Sequence, residues 1–209
     1  PLPGVPDSIA KGVYAIQEDR QGQMWFATDQ ALFRYDGAEM TRCTGKDSPP
    51  EGCWRMLLDR QGRLWTGVRT VPDESESGLH CFDGQEWAAF TSADGLARGP
   101  GGALAEDRHG RVWVGGHDGR LSVYEGRRFT ARDGLPPGLV TSLAEDRAGA
   151  LWVTLVPRGG TGGGVWRWDG WAFSPLLVPE VATPKIMSAA LADRDGRLWF
   201  GSYGGGVYL

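Results

Sequence analysis

A chain of 209 residues with 41% apolar and 23% charged content is long and apolar enough to bury a core, which excludes a disordered polypeptide. Its Leu, Val and Ile fall in short bursts with no run of about 18 that could span a bilayer, and the opening Pro1-Leu2-Pro3 has neither Met nor the basic-then-apolar pattern of a secretory leader. The net charge of −4 is made of interleaved signs with no basic face for a phosphate backbone, so neither nucleic acid nor a membrane is an expected partner of this segment.

Read from the N-terminus, the first strong signal is Glu18-Asp19-Arg20-Gln21-Gly22-Gln23-Met24-Trp25, a tight turn in which Asp caps its own backbone and Gly accepts positive φ. It opens into a strand, Met24–Thr28, followed by a second aromatic and β-branched run, Leu32–Tyr35. Asp36-Gly37 then marks a two-residue hairpin. The same order recurs with Asp59-Arg60-Gln61-Gly62-Arg63-Leu64-Trp65, the run Leu79–Phe82, Asp83-Gly84 and a fourth strand over Glu86–Phe90. A third copy has Asp107–Trp113, Leu121–Tyr124 and Glu125-Gly126. The fourth has an entering strand at Val140–Ala144, then Asp146–Trp152, Val165–Trp168 and Asp169-Gly170. The fifth has Asp193–Trp199 and breaks off at Gly206-Val207-Tyr208-Leu209, before its hairpin acid.

Five copies of Asp-Arg-x-Gly-x-apolar-Trp, each Asp standing 40, 48, 39 and 47 residues after the one before, have the period of propeller blades. Four strands joined by hairpins make one blade, lettered A to D from the N-terminus. The expected fold is therefore an all-β propeller of four-stranded antiparallel blades. Five repeats are visible, at about 12–44, 53–92, 101–132, 139–175 and 186–209, and the last lacks its outer strand. Residues 1–209 then form a single domain of five blades or a segment of a larger, seven-bladed, ring. A lone blade leaves both faces apolar, so Trp25, Trp65, Trp113, Trp152 and Trp199 are expected to fill the seams between neighbours. Open end faces make a homo-oligomer conceivable. Cys53 on strand A and Cys81 on strand C lie two strand spacings, about 10 Å, apart, beyond the roughly 7 Å a disulfide allows, so three free thiols are expected.

The cadence Asp133-Gly134-Leu135-Pro136, an apolar strand, Glu145-Asp146-Arg147-x-Gly149-x-Leu151-Trp152 and a later Asp169-Gly170 resembles the two-component regulator propeller repeat, over nearly the whole chain. That resemblance implies a ligand-sensing or recognition role, in the extracytoplasmic (bacterial periplasmic) sensor region of a hybrid histidine kinase or related regulator, with a small molecule such as a carbohydrate, or a protein, as partner. It carries over no ligand-binding residue, because the repeated residues are structural.

Catalysis is not expected. An acid at the same turn of every blade behaves as a cap, whereas a catalytic acid and base need environments that push their pKa values apart. The glycine run Gly159–Gly164 lacks the Lys-Ser or Lys-Thr and the helix of a phosphate loop. His80, His109 and His117 fall on different elements with no metal-ligand spacing, and neither a metal nor a cofactor is expected. Length variation is more informative. From the turn Asp to the acid ending strand C the counts are 17, 24, 18 and 23, while from that acid to the next turn Asp they are 23, 24, 21 and 24. The insertions, 69–78 and 156–164, thus lie between strands B and C, on the rim where binding residues concentrate. Asp29, His117, Asp118, Arg158 and Tyr203 are the expected ligand-binding residues, converging on a central opening, with the Asp-Arg turns on the opposite face. The alternatives are a structural or dimerisation module, or a propeller enzyme similar to the streptogramin lyases.

Overall fold

The computed structural model describes residues 12–49, 52–68, 78–97, 99, 102–158, 164–176 and 186–209. Among them every regular element but one is a strand, the exception being a single 3₁₀ turn at Ser92–Asp94. Five antiparallel sheets follow one another along the chain, each with its strands in sequence order. The first is β1 (Val13–Glu18), β2 (Met24–Thr28), β3 (Leu32–Tyr35) and β4 (Met40–Arg42); the second is β5 (Cys53–Leu58), β6 (Leu64–Val68), β7 (Leu79–Phe82) and β8 (Trp87–Phe90). The third holds β9 (Ala103–Glu106), β10 (Val112–Gly115), β11 (Leu121–Tyr124) and β12 (Phe129–Arg132). The fourth holds β13 (Gly138–Glu145), β14 (Leu151–Pro157), β15 (Gly164–Trp168) and β16 (Phe173–Pro175). The fifth, β17 (Ile186–Ala192), β18 (Leu198–Tyr203) and β19 (Gly206–Tyr208), has three strands. This is the all-β propeller architecture expected from the repeats, with the outer strand missing from the last blade. The chain divides into two compact units, Pro1–Gly101 and Gly102–Leu209, which hold the first two and the last three blades.

Within each blade the register fixes two faces, because successive side chains on a strand alternate. In the third blade Ala105, Trp113 and Val123 stand in one cross-strand row, and this Trp face meets Leu151 and Val153 of the fourth blade, the residues flanking Trp152. Trp152 in turn meets Phe200 of the fifth, with ring centroids 5.8 Å apart. In the first unit Trp25 meets Leu64, Phe82 and Trp87 of the second blade. One rule covers these seams: the Trp face of a blade packs on the Trp-flanking face of the next.

The expectation that all five Trp side chains are core needs correction at the end of the row. Trp25, Trp65 and Trp113 are fully buried, whereas Trp152 and Trp199 are only partly so. On the Trp199 face Leu191, its register partner, and Val207, opposite Gly201, are 62% and 69% exposed. A seam residue needs a neighbour on each side of the seam, and among the described residues none covers this face. Cys43, Cys53 and Cys81 are free. Strand β6 pairs with both β5 and β7 and so separates Cys53 from Cys81, and burial pushes the three thiols up to about 12, 11 and 12.

Candidate functional site

At the A–B end of every blade the turn Asp makes the same contacts. Its Oδ1 accepts the backbone N–H groups two and four residues on, and its Oδ2 accepts the indole N–H six residues on, at 2.7–2.8 Å from Trp25, Trp65, Trp113, Trp152 and Trp199. The carboxylate therefore closes the turn and orients the seam Trp together. In three blades Oδ2 also accepts a guanidinium N–H, from Arg63, Arg111 and Arg197, at 2.6–2.8 Å. At Asp59 and Asp107 burial works to raise the pKa, but the indole, the amides and the guanidinium outweigh it and hold the carboxyl below its ordinary value. At Asp193 the Trp199 indole leads and the pKa falls to about 2. Such groups are ionised, saturated with donors and occupied structurally.

The Arg following that Asp bridges seams. Arg108 donates from its backbone N–H and Nε to the Glu145 carboxylate (2.7 and 2.9 Å) and from Nη2 to the Asp146 carbonyl. Arg20 donates to the Arg60 carbonyl, and Arg147 lies against Gly196.

The B–C end carries the five residues singled out from the sequence. Asp29 heads the two-residue turn between β2 and β3, which Thr28 closes: its N–H and Oγ1 both donate to the Ala31 carbonyl, and its Oγ1 accepts the amides of Gln30 and Ala31. Asp29 itself keeps a buried Oδ1 with no hydrogen-bond partner among the described residues. His117 and Asp118 lie in the β10–β11 connection, where Asp118 Oδ1 accepts the Arg120 amide and Oδ2 lies 3.9 Å from Arg120 Nε. Arg158 directly follows β14 and donates its backbone N–H to the Pro137 carbonyl at 3.1 Å. Tyr203 ends β18 with its ring 80% exposed. Asp118, Arg158 and Tyr203 share this end of the second unit but hydrogen-bond to none of one another. Asp29 belongs to the first unit. Of the two insertions, residues 69–77 and 159–163 lie outside the described residues.

In the second unit the B–C and D–A connections share one rim. Arg120 reaches Asp133 at 3.6 Å, and Gly119, at φ 82°, sits where a Cβ would run into the Pro136 carbonyl. His80 belongs to the same end of the second blade. It is buried, which lowers its pKa, and its Nδ1 lies 2.8 Å from the Asp47 carbonyl, so this ring pins a loop and offers no free base.

A groove of about 270 Å³ opens at the seam of the first two blades, lined by Trp25, Phe82 and Trp87 with Arg34 and Arg42. Arg34 lies 5.8 Å from the Trp25 ring centroid, and Arg42 donates to the Gln30 carbonyl at 3.3 Å. Rings with two guanidinium groups and no carboxylate among the described lining residues can hold a planar or apolar group that ends in an anion.

The family model for the two-component regulator propeller matches residues 8–30 and 183–204, the segments that span the Asp-Arg turns of the first and fifth blades. The chain carries two-component regulator propeller repeats. Curated protein sequences give no match. Among solved structures the chain is similar to virginiamycin B lyase from Staphylococcus aureus, with 14% identity and a TM-score of 0.70 over 97% of this chain and 70% of that one. It is also similar to a gluconolactonase from Xanthomonas campestris, with 17% identity and a TM-score of 0.59 over 91% and 69% of the two chains. A third is PorZ, a bacterial surface component of the type-IX secretion system of Porphyromonas gingivalis, with 14% identity and a TM-score of 0.60 over 94% of this chain and 32% of that one. At these identities the fold is what is shared.

The repeated Asp-Arg phrase thus accounts for the A–B end, and the B–C end varies from blade to blade. The bond from Asp Oδ2 to the indole escaped the sequence reading, although an Asp and a Trp six apart in all five copies is its signature. The Arg34–Arg42 groove escaped it too. Arg34 has a counterpart in Arg167 of the fourth blade, each opposite its blade's Trp, but only the seam brings Arg34 and Arg42 to Phe82 and Trp87.

Proposed function

We propose that this chain is a non-catalytic recognition module that binds a hydroxyl-rich small molecule, of the carbohydrate type, at the B–C end of its blades. The observation behind this reading is Asp29. A buried carboxylate oxygen without a donor costs about 1–3 kcal/mol or more, and such a group persists where something else supplies the donor. Sugar hydroxyls are donors of that kind. The turn carboxylates at the other end have both oxygens engaged and nothing left to offer. A placement outside the cytoplasm is part of the proposal, supported by the two-component regulator repeat and by the fold likeness to a bacterial surface component. An enzymatic reading has the fold likeness to a lyase and a gluconolactonase behind it, at 14% and 17% identity.

A thermal-shift panel of mono- and oligosaccharides tests the proposal, since a ligand at about 100 times its Kd adds roughly 2.7 kcal/mol to the native state. Wild-type protein is expected to gain stability with at least one sugar. Asp29→Asn should lose that gain while staying about as stable as wild type without ligand, because Oδ1 makes no hydrogen bond within the described residues that the change could break. An Asp29→Asn variant that keeps the full sugar-dependent gain contradicts the assignment.

A further inference from the structure

We infer that the groove between the first and second blades is a binding site for a small planar ring bearing a carboxylate, with Arg34 and Arg42 taking the anion and Trp25, Phe82 and Trp87 the ring. The inference is independent of the sugar proposal, and the groove lies within the first unit. It starts from how each blade covers its seam Trp. In all five an Arg guanidinium lies over the indole, 5.0–5.9 Å from the ring centroid. In the second, third and fifth blades that Arg stands two residues before the Trp and its Nε donates to the turn Asp, so its charge is met inside the fold. Gln23 holds that position in the first blade and Ala150 in the fourth, and there the cation comes from strand C, as Arg34 and Arg167.

Arg34 makes neither a hydrogen bond nor an ion pair among the described residues, so stacking on Trp25 fixes a guanidinium whose N–H groups are unspent. Asp36, on which its charge acts, is exposed and does not line the groove, and the Asp36 Oδ1 already accepts the Ala38 and Glu39 amides. Arg42, from β4, uses one N–H on the Gln30 carbonyl and keeps the rest of its fork. A planar fork held in place is the geometry that takes both oxygens of a carboxylate. Across the groove Phe82 and Trp87 are half-buried, with ring centroids 5.1 Å apart, and leave aromatic surface for a ring to cover. The described lining residues include no carboxylate to accept sugar hydroxyls, which separates this site from Asp29. Its volume of about 270 Å³ falls just under the roughly 300–1,000 Å³ of drug-sized sites and suits one ring with its acid.

Cys43 supplies the test, because it lines the groove and is half-buried, whereas Cys53 and Cys81 are buried. The 209-residue chain is alkylated with iodoacetamide in rising benzoate, and modification at Cys43 is followed by peptide mass. Benzoate is expected to slow Cys43 alkylation saturably. Acetate, which lacks the ring, benzamide, which lacks the charge, and glucuronate, which replaces the ring by a sugar, should each need concentrations on the order of tenfold higher for half-protection. Arg34→Gln and Arg42→Gln should raise the half-protecting benzoate concentration by about as much, and Arg34→Lys should raise it less than Arg34→Gln. Arg167→Gln, the counterpart in the fourth blade, should leave it unchanged. Arg42 is exposed, so Arg42→Gln should keep the wild-type urea midpoint and decide the matter even if Arg34→Gln unfolds. Absent protection by benzoate, equal protection by acetate, benzamide or glucuronate, or a folded Arg42→Gln that is protected like wild type overturns the inference. Sugar-dependent stabilisation is read separately, so either proposal can fail while the other stands.

Discussion

The turn Asp does three things with two oxygens: it closes the A–B turn, orients the Trp that follows, and in three blades holds an Arg. Those bonds favour the ionised form, so the folded pKa lies below the unfolded one at Asp59, Asp107, Asp146 and Asp193. A carboxyl with a depressed folded pKa adds stability that is present above its unfolded value, about 4, and lost as pH falls through the folded value. Urea midpoints should therefore fall steeply from about pH 4 towards about 2, the folded value of Asp193. Asp107→Asn should be less stable than wild type at pH 6 and lose less on acidification; equal losses in the two proteins would contradict the clamp. At this scale the sequence was half legible. Asp beside Arg-x-Gly announces a capped turn from local chemistry alone, but its second oxygen meets the indole only once the turn and the first residues of strand B have taken their geometry.

The element that repeats is the blade, and what joins blades is an asymmetric seam. Trp113 is buried and packs with residues of two blades, whereas Trp199 is only partly buried. Trp113→Ala should cost about 3–5 kcal/mol in urea unfolding, and Trp199→Ala less than about half of that. Equal costs would show that the Trp side chains stabilise their own blades rather than the seams. Strands and hairpins were readable because alternation, Asp-Gly turns and a period near forty residues all point the same way. The partial exposure of Trp199 was not, since a Trp in the fifth copy of a phrase looks like the other four until its next neighbour is sought. The same limit applies to Arg34 and Arg42, whose groove needs side chains from two blades.

Across the molecule the two ends of the blades are built for different tasks. The A–B end spends its polar groups on the fold, in five copies of one carboxylate clamp. At the B–C end polar atoms are left over, Asp29 Oδ1 in the first blade and Ser202 Oγ in the fifth, beside residues that differ from blade to blade. A rigid, repeated end that fixes a variable one is the arrangement on which recognition loops are carried. Amide chemical-shift mapping tests this division most directly, with the sugar that most stabilises the wild-type chain titrated into ¹⁵N-labelled protein. The account predicts that shifts concentrate at the B–C amides around Asp29, such as Gln30 and Ala31, with those of Gly22, Gly62, Gly110, Gly149 and Gly196 in the A–B turns unmoved. Shifts centred on those turn glycines, with the B–C amides silent, would contradict it.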